Sequence, residues 1–209
     1  MVKVKICGIT NLDDALFCSR QGADAVGFIF TPASPRCIKV KDASRISGLM
    51  GPFITKVGVF LDEKKDNVLA AARTVGLDVL QFHGAESPAY CGAFQPEFKV
   101  IKVLFDRDRP FKKTVCKYKG VDAFLFDVKL EDKRKGVSSL SKVALEEVSR
   151  LIKEDHRVII SGGLRSNNVL KVKRLNPYAV DVASGVESRV GKKDKKLVRE
   201  FIGKTKDLL

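Results

Sequence analysis

No run of apolar residues in this chain approaches the roughly 20 that a membrane-spanning helix requires, although hydrophobic residues make up 44% of its 209 positions. A helical membrane protein is excluded. The opening residues alternate valine and lysine and lack the apolar core and small-residue cleavage site of a secretory signal. The expected location is therefore the cytoplasm. Cysteine is sparse and unpatterned: Cys7, Cys18, Cys37, Cys91 and Cys116 are odd in number, widely spaced and contain no C-x-x-C pair. That argues against a disulfide framework or a zinc site and for reduced thiols. Also missing is the G-x-G-x-x-G turn that a doubly wound dinucleotide-binding sheet would carry after its first strand. Nor does any Pro/Ser-rich linker or shift of composition split the chain. One domain over residues 1–209 is expected.

What the chain has in excess is positive charge, 39 Lys and Arg against 25 Asp and Glu, a net +14. Such a field draws polyanions and small phosphorylated molecules alike. The basic residues spread over KKDNVLAAARTVG, RPFKKTVCKYKG, LKVKRLN and GKKDKKLVREF, all of helical pattern, and do not gather into one arm with interleaved aromatics. They read as solvated outer faces of helices. A small phosphorylated partner is favoured over nucleic acid, while monomer and homodimer stay open.

Apolar runs predict eight strands: KVKICGI (3–9), DAVGFIF (24–30), ITKVGVF (54–60), LDVLQF (77–82), KVIKVLF (99–105), VDAFLFD (121–127), RVIIS (157–161) and AVDVAS (179–184). Several are almost continuously apolar, as strands buried on both faces of a parallel sheet are. Helical patterns follow each strand in turn, at 11–22, 41–50, 64–76, 86–94, 109–120, 141–154, 165–176 and 192–206. Start signals stand at Asn11 and Ser166, stop signals at Gly22, Gly76 and Gly120. A faint repeat, GADAVGF, GLDVLQF, GVDAFLF and NPYAVDV, marks the turn into every second strand, with Gly or Asn176 as a left-handed cap. Eight β-then-α units of about 26 residues each fit a single-domain (β/α)8 TIM barrel of the α/β class.

In such a barrel the active site forms where the strands end and the βα loops begin. SGGL (161–164) and ASGVES (183–188) put small residues directly after strands 7 and 8, where main-chain N–H groups can approach an anion. Two adjacent loops of this kind predict a phosphate site. Asp127 ends an apolar strand, a setting that favours a neutral carboxyl able to act as an acid; the competing reading is a loop cap or a partner for a lysine such as Lys129. Cys7 ends strand 1, across the barrel from strand 6, where nearby cations could draw its thiol toward thiolate and make it a base. Arg36 stands on a loop stiffened by Pro32 and Pro35, with a guanidinium fork suited to a carboxylate. His83 either orients a substrate or closes the turn before Gly84. Cys18, Cys91 and Cys116 fall in helical stretches and read as structural.

KICGIT, ADAVGFIF followed by SPR, VGVF, LQFHG, SGGL and AVDVASGVE, in that order over nearly the whole chain, resemble the phosphoribosylanthranilate isomerase family of tryptophan biosynthesis. The resemblance implies a (β/α)8 barrel that isomerises N-(5'-phosphoribosyl)anthranilate to 1-(2-carboxyphenylamino)-1-deoxyribulose 5-phosphate with neither cofactor nor metal. It implies Cys7 as general base and Asp127 as general acid. It implies Arg36 as the carboxylate grip, Gly162, Gly163, Ser184 and Gly185 as the phosphate loops, and Gln81, His83 and Asp181 as polar residues around the sugar. After Asp127, Val128 and a single glycine, Gly136, stand where the family carries a threonine and a glycine cluster. That departure motivates the alternative of another phosphorylated sugar as substrate, or of weakened isomerase activity.

Overall fold

The computed structural model of the protein describes residues 1–127 and 141–207. The departure at Val128 and Gly136, like Lys129, lies outside the described residues. Eight parallel strands form a closed barrel: β1 (Lys3–Cys7), β2 (Ala25–Ile29), β3 (Thr55–Phe60), β4 (Val79–Phe82), β5 (Lys99–Leu104), β6 (Ala123–Phe126), β7 (Val158–Ile160) and β8 (Ala179–Val182). Each pairs with the next, and β8 returns to β1 through the register Lys5 with Asp181. Helices α1 (Leu12–Arg20), α2 (Val40–Gly48), α3 (Lys65–Val75), α4 (Pro88–Gly92), α5 (Phe111–Val115), α6 (Lys142–Lys153), α7 (Val169–Lys173) and α8 (Lys195–Lys206) alternate with the strands. The expected (β/α)8 order holds.

Strand alternation sorts every second residue inward. Val79, Ile101, Val103, Ala123, Leu125, Ile159 and Ala179 form one cluster that fills the barrel, each such side chain worth about 1.5–3 kcal/mol on burial for the larger ones. Their neighbours in sequence point out and are covered by helices. Phe124 and Phe126, for example, pack with Phe111 of α5 and with Val148 and Leu151 of α6.

The helix ends differ from expectation where local competition decides. Asn11 caps α1 as expected, its Oδ1 accepting from Asp14 N–H at 3.0 Å. The left-handed turns expected at Gly22, Gly76 and Asn176 are present, with φ of 93°, 68° and 53°, whereas Gly120 is not in that conformation. α4, α5 and α7 are five residues each, shorter than their patterns. Helix α7 starts at Val169, not at Ser166, because Asn168 is spent on the loop before it: its Oδ1 accepts from Arg165 N–H at 2.8 Å and its Nδ2 donates to Gly163 O at 3.0 Å. Lys192 and Lys193, expected to open the last helix, instead form β10 (Lys192–Lys193), antiparallel to β9 (Glu187–Arg189). The main-chain N–H of Lys193 is taken by Asp14 Oδ2 at 2.8 Å, and α8 begins two residues later behind the cap Asp194.

Candidate active site

The inward rows that fill the barrel continue upward into polar residues, two positions further along each strand: Cys7 beyond Lys5, Gln81 beyond Val79, Asp127 beyond Leu125, Ser161 beyond Ile159, Asp181 beyond Ala179. Together they floor a cavity of about 800 Å³ at the C-terminal ends of the strands. Cys7, Arg36, Gln81, His83, Asp127, Gly162, Gly163, Asp181, Ser184 and Gly185 all line it, so every residue expected at the site reaches the same space.

Cys7 is buried at the end of β1, its Cα paired with Gly27 of β2. A methyl group at Gly27 would lie 2.8 Å from the Cys7 Sγ and 3.1 Å from the Lys5 Nζ, so thiol and ammonium both occupy the space left by that missing side chain. Lys5 also donates to Asp181 Oδ1 at 2.8 Å, and Ser161 Oγ donates to Asp181 Oδ2 at 3.3 Å. The expectation that cations draw the thiol toward thiolate is corrected: burial pushes Cys7 up, Lys5 pulls it down, Asp181 adds to the rise, and the net direction is up. For Lys5 burial acts downward, but Asp181 and the thiol outweigh it and hold the ammonium charged.

The glycine that follows Cys7 serves two ends. Gly8 has φ of 75°, and its N–H, like that of Ile9, donates to Gly27 O at 2.9 Å, which turns the chain sharply out of β1. A side chain there would also stand 2.6 Å from Arg36 Cδ. The arginine stem lies across Gly8.

Arg36 is braced by Glu187: its Nε donates to Oε1 at 2.8 Å and its Nη2 to Oε2 at 2.6 Å. Lys193 supports that carboxylate, donating to Glu187 Oε1 at 2.9 Å, Cys7 O at 2.7 Å and Ala183 O at 3.1 Å. After β7, Gly162 and Gly163 take φ of 89° and 61°. A Cβ on Gly185 would fall 1.8 Å from Leu164 O, so the loops after β7 and β8 touch backbone to backbone. Neither loop has a side chain between its main chain and the cavity at these positions.

Asp127 is buried directly after β6, its N–H donating to Leu104 O at 3.1 Å, with His83 Nε2 at 3.9 Å from Oδ2. The His83 ring packs edge-on against Phe105, over which Arg107 lies. Gln81 is buried, and its Oε1 has no hydrogen-bond partner among the described residues. Sequence reasoning missed Lys5, Glu187, Lys193, Phe105 and Arg107. Lys5 could have been found from its inward parity with Cys7. The pairing of Glu187 with Arg36 carries no local signal, since the contact spans 151 positions of chain.

The family described as N-(5'-phosphoribosyl)anthranilate (PRA) isomerase matches residues 4–204. The N-(5'-phosphoribosyl)anthranilate isomerase of Thermotoga neapolitana is 42% identical over 210 residues, covering 100% of both chains. A crystal structure of phosphoribosyl anthranilate isomerase in complex with reduced 1-(o-carboxyphenylamino)-1-deoxyribulose 5-phosphate superposes with a TM-score of 0.85 at 38% identity, over 99% of this chain and 100% of that one. A structure of monomers of the dimeric phosphoribosylanthranilate isomerase from Thermotoga maritima gives 0.85 at 37% identity, with the same coverage.

Proposed function

The chain belongs to the N-(5'-phosphoribosyl)anthranilate isomerase family, and from that premise we propose that its barrel is a single catalytic domain in which Asp127 and Cys7 are the acid and base of the reaction. The reaction is the isomerisation of N-(5'-phosphoribosyl)anthranilate to 1-(2-carboxyphenylamino)-1-deoxyribulose 5-phosphate. Asp127 gives a proton to the ring oxygen of the ribose. The C1–O bond breaks as the nitrogen lone pair forms an iminium at C1. Cys7, as thiolate, takes the C2 proton, and the electrons of that bond neutralise the iminium to an enolamine. Return of a proton to C1, with loss of the enol proton, leaves the C2 ketone. Acid and base on opposite sides of one sugar satisfy this sequence.

The remaining residues fix the geometry. Arg36 holds the carboxylate of the anthranilate ring, and the main chain at Gly162, Gly163, Ser184 and Gly185 holds the phosphate, so that C1 and C2 lie between two anchors. Gln81 Oε1 accepts from a sugar hydroxyl, which supplies the partner it lacks among the described residues. His83 and Asp181 complete the polar wall. The charged Lys5 lies by the thiolate that must form, and lowers the cost of forming it.

The observation that carries this reading is that one cavity is lined by Cys7 from β1, Asp127 from β6, Arg36 and both glycine loops. The test is turnover of substrate generated in situ, followed by loss of anthranilate-derivative fluorescence. Cys7→Ala and Asp127→Asn should each lower kcat by about 10²–10⁴ with unchanged circular dichroism. Wild-type rates in either variant would remove that residue from its role. A cytoplasmic location accords with five free cysteines, of which Cys37 and Cys116 are exposed; among the described residues no helix is long and apolar enough to cross a membrane. For assembly we propose a dimer, the state named for the Thermotoga maritima protein, with Phe53 and Leu49, 99% and 59% exposed, at the contact.

A further inference from the structure

Three charges, two of them on buried side chains, meet beside the cavity, and their sum is not zero. Arg36 and Lys193 are positive and Glu187 is negative, which leaves one positive charge in excess. The side chains of Lys193 and Glu187 are 1% and 4% exposed, that of Arg36 17%. A lysine has three N–H donors, and all those of Lys193 are used, on Cys7 O, Ala183 O and Glu187 Oε1. Lys193 therefore has nothing left to offer a ligand. An arginine has five, of which Arg36 gives the Nε–H and one Nη2–H to Glu187, the two that form the side edge of the guanidinium plane. The end edge, made by Nη1 and the other Nη2–H, has no partner among the described residues. A guanidinium can hold a second carboxylate on that edge with the same bidentate geometry.

We propose that Glu187, fixed in place by Lys193, is the positioning residue for carboxylate recognition: it fills the side edge of Arg36 and turns the end edge toward the substrate. The ligand carboxylate supplies the anion that the cluster lacks. The stem of Arg36 lies in the space that Gly8 leaves open by having no side chain, and its head is held by Glu187. The same ammonium that fixes Glu187 also holds the carbonyls of Cys7 and Ala183. One cation thus fixes the spacing of the base, the entry to the phosphate loop and the carboxylate grip. The direction of the Glu187 pKa agrees: burial pushes it up, yet Arg36 and Lys193 outweigh burial and hold it below the usual carboxylate range. Arg36 in turn is moved up by its hydrogen bond to Glu187, against the downward push of burial.

The inference rests on the reading of Arg36 as carboxylate grip, and the test separates the two. Calorimetry on the full chain would compare reduced 1-(o-carboxyphenylamino)-1-deoxyribulose 5-phosphate with its counterpart made from aniline, which lacks the carboxylate. Glu187→Gln should weaken the first probe by about tenfold, leave the second within about twofold, and raise KM more than it lowers kcat. Equal weakening of both probes, or no change in the first, overturns the positioning role. Arg36→Met should weaken the first probe alone; if it does not, the carboxylate grip lies elsewhere and the inference falls with it. Should Glu187→Gln fail to fold, the wild-type protein still decides by nitrogen-15 NMR. The Arg36 Nε–H should be slow to exchange both before and after the first probe binds, and loss of that protection on binding overturns the proposal.

Discussion

At Gly27 one hydrogen atom in place of a methyl group keeps a thiol and an ammonium together. Gly27→Ala would put a Cβ 2.8 Å from the Cys7 Sγ and 3.1 Å from the Lys5 Nζ, and one of the two must move. Because displacements of about 1 Å can cost about 10² in rate, this variant should lose turnover by that order while still binding the reduced product analogue; kcat and calorimetry together check it. As the proposed base, Cys7 would set the pH response. Its thiol is held up by burial, so the thiolate is scarce at neutral pH and grows as pH rises. Turnover should climb into the alkaline range, and in Lys5→Met, with the counter-cation gone, the climb should move to still higher pH. A flat profile in the wild type would contradict Cys7 as base. The sequence already singled out Cys7, because a thiol at the end of a first strand is conspicuous. It could not show that the next residue, Gly8, makes room for Arg36, since 28 positions separate them and only the fold brings them together.

At the scale of elements, two buried ion pairs tie loops to the barrel. Lys102 of β5 pairs with Glu86 at 2.9 Å and also donates to Gly84 O at 2.7 Å, while the Glu86 carboxylate accepts from Asp62 N–H and Gly84 N–H at 2.9 Å each. This brace holds the loop after β4, which carries His83. Glu86→Ala would leave a buried ammonium unpaired and should cost about 3–5 kcal/mol in urea unfolding; a loss under about 1 kcal/mol would mean that the pair is replaced by water. The β9–β10 hairpin has its own signature in acid. With its pKa depressed in the folded state, ionised Glu187 adds stability in full above the unfolded-state value near 4.3, and that contribution is lost as pH falls through the lower folded value. The gap in melting temperature between wild type and Glu187→Gln should therefore be widest at pH 6–7 and narrow toward about pH 3. The hairpin was invisible in the sequence because GKKDKKLVREF reads as one helical pattern; Gly191, with φ of 77°, and the Asp14 contact to Lys193 N–H decide against it.

For the whole molecule, the net charge of +14 lies mostly on outer helix faces, and among the described residues the buried lysines Lys5, Lys102 and Lys193 each have a carboxylate partner. The proposed dimer is checked by size-exclusion chromatography with light scattering: wild type should run as two chains and Phe53→Asp as one, and a monomeric wild type would end that proposal. The order of eight strands and eight helices was legible in the sequence because a strand buried on both faces must be apolar and a helix on the outside must be amphipathic, and both are local patterns. So was the list of residues at the strand ends, because the fold places chemistry there. What only the tertiary structure decided is which of those residues act on one another: that Lys5 and Asp181 pair beneath Cys7, that Glu187 and Lys193 aim Arg36, and that burial wins over charge at the thiol. Those outcomes depend on distances of a few ångströms between chain segments more than 100 residues apart, and electrostatic and hydrogen-bond energies are set by such distances and by the exclusion of water, neither of which a linear pattern contains.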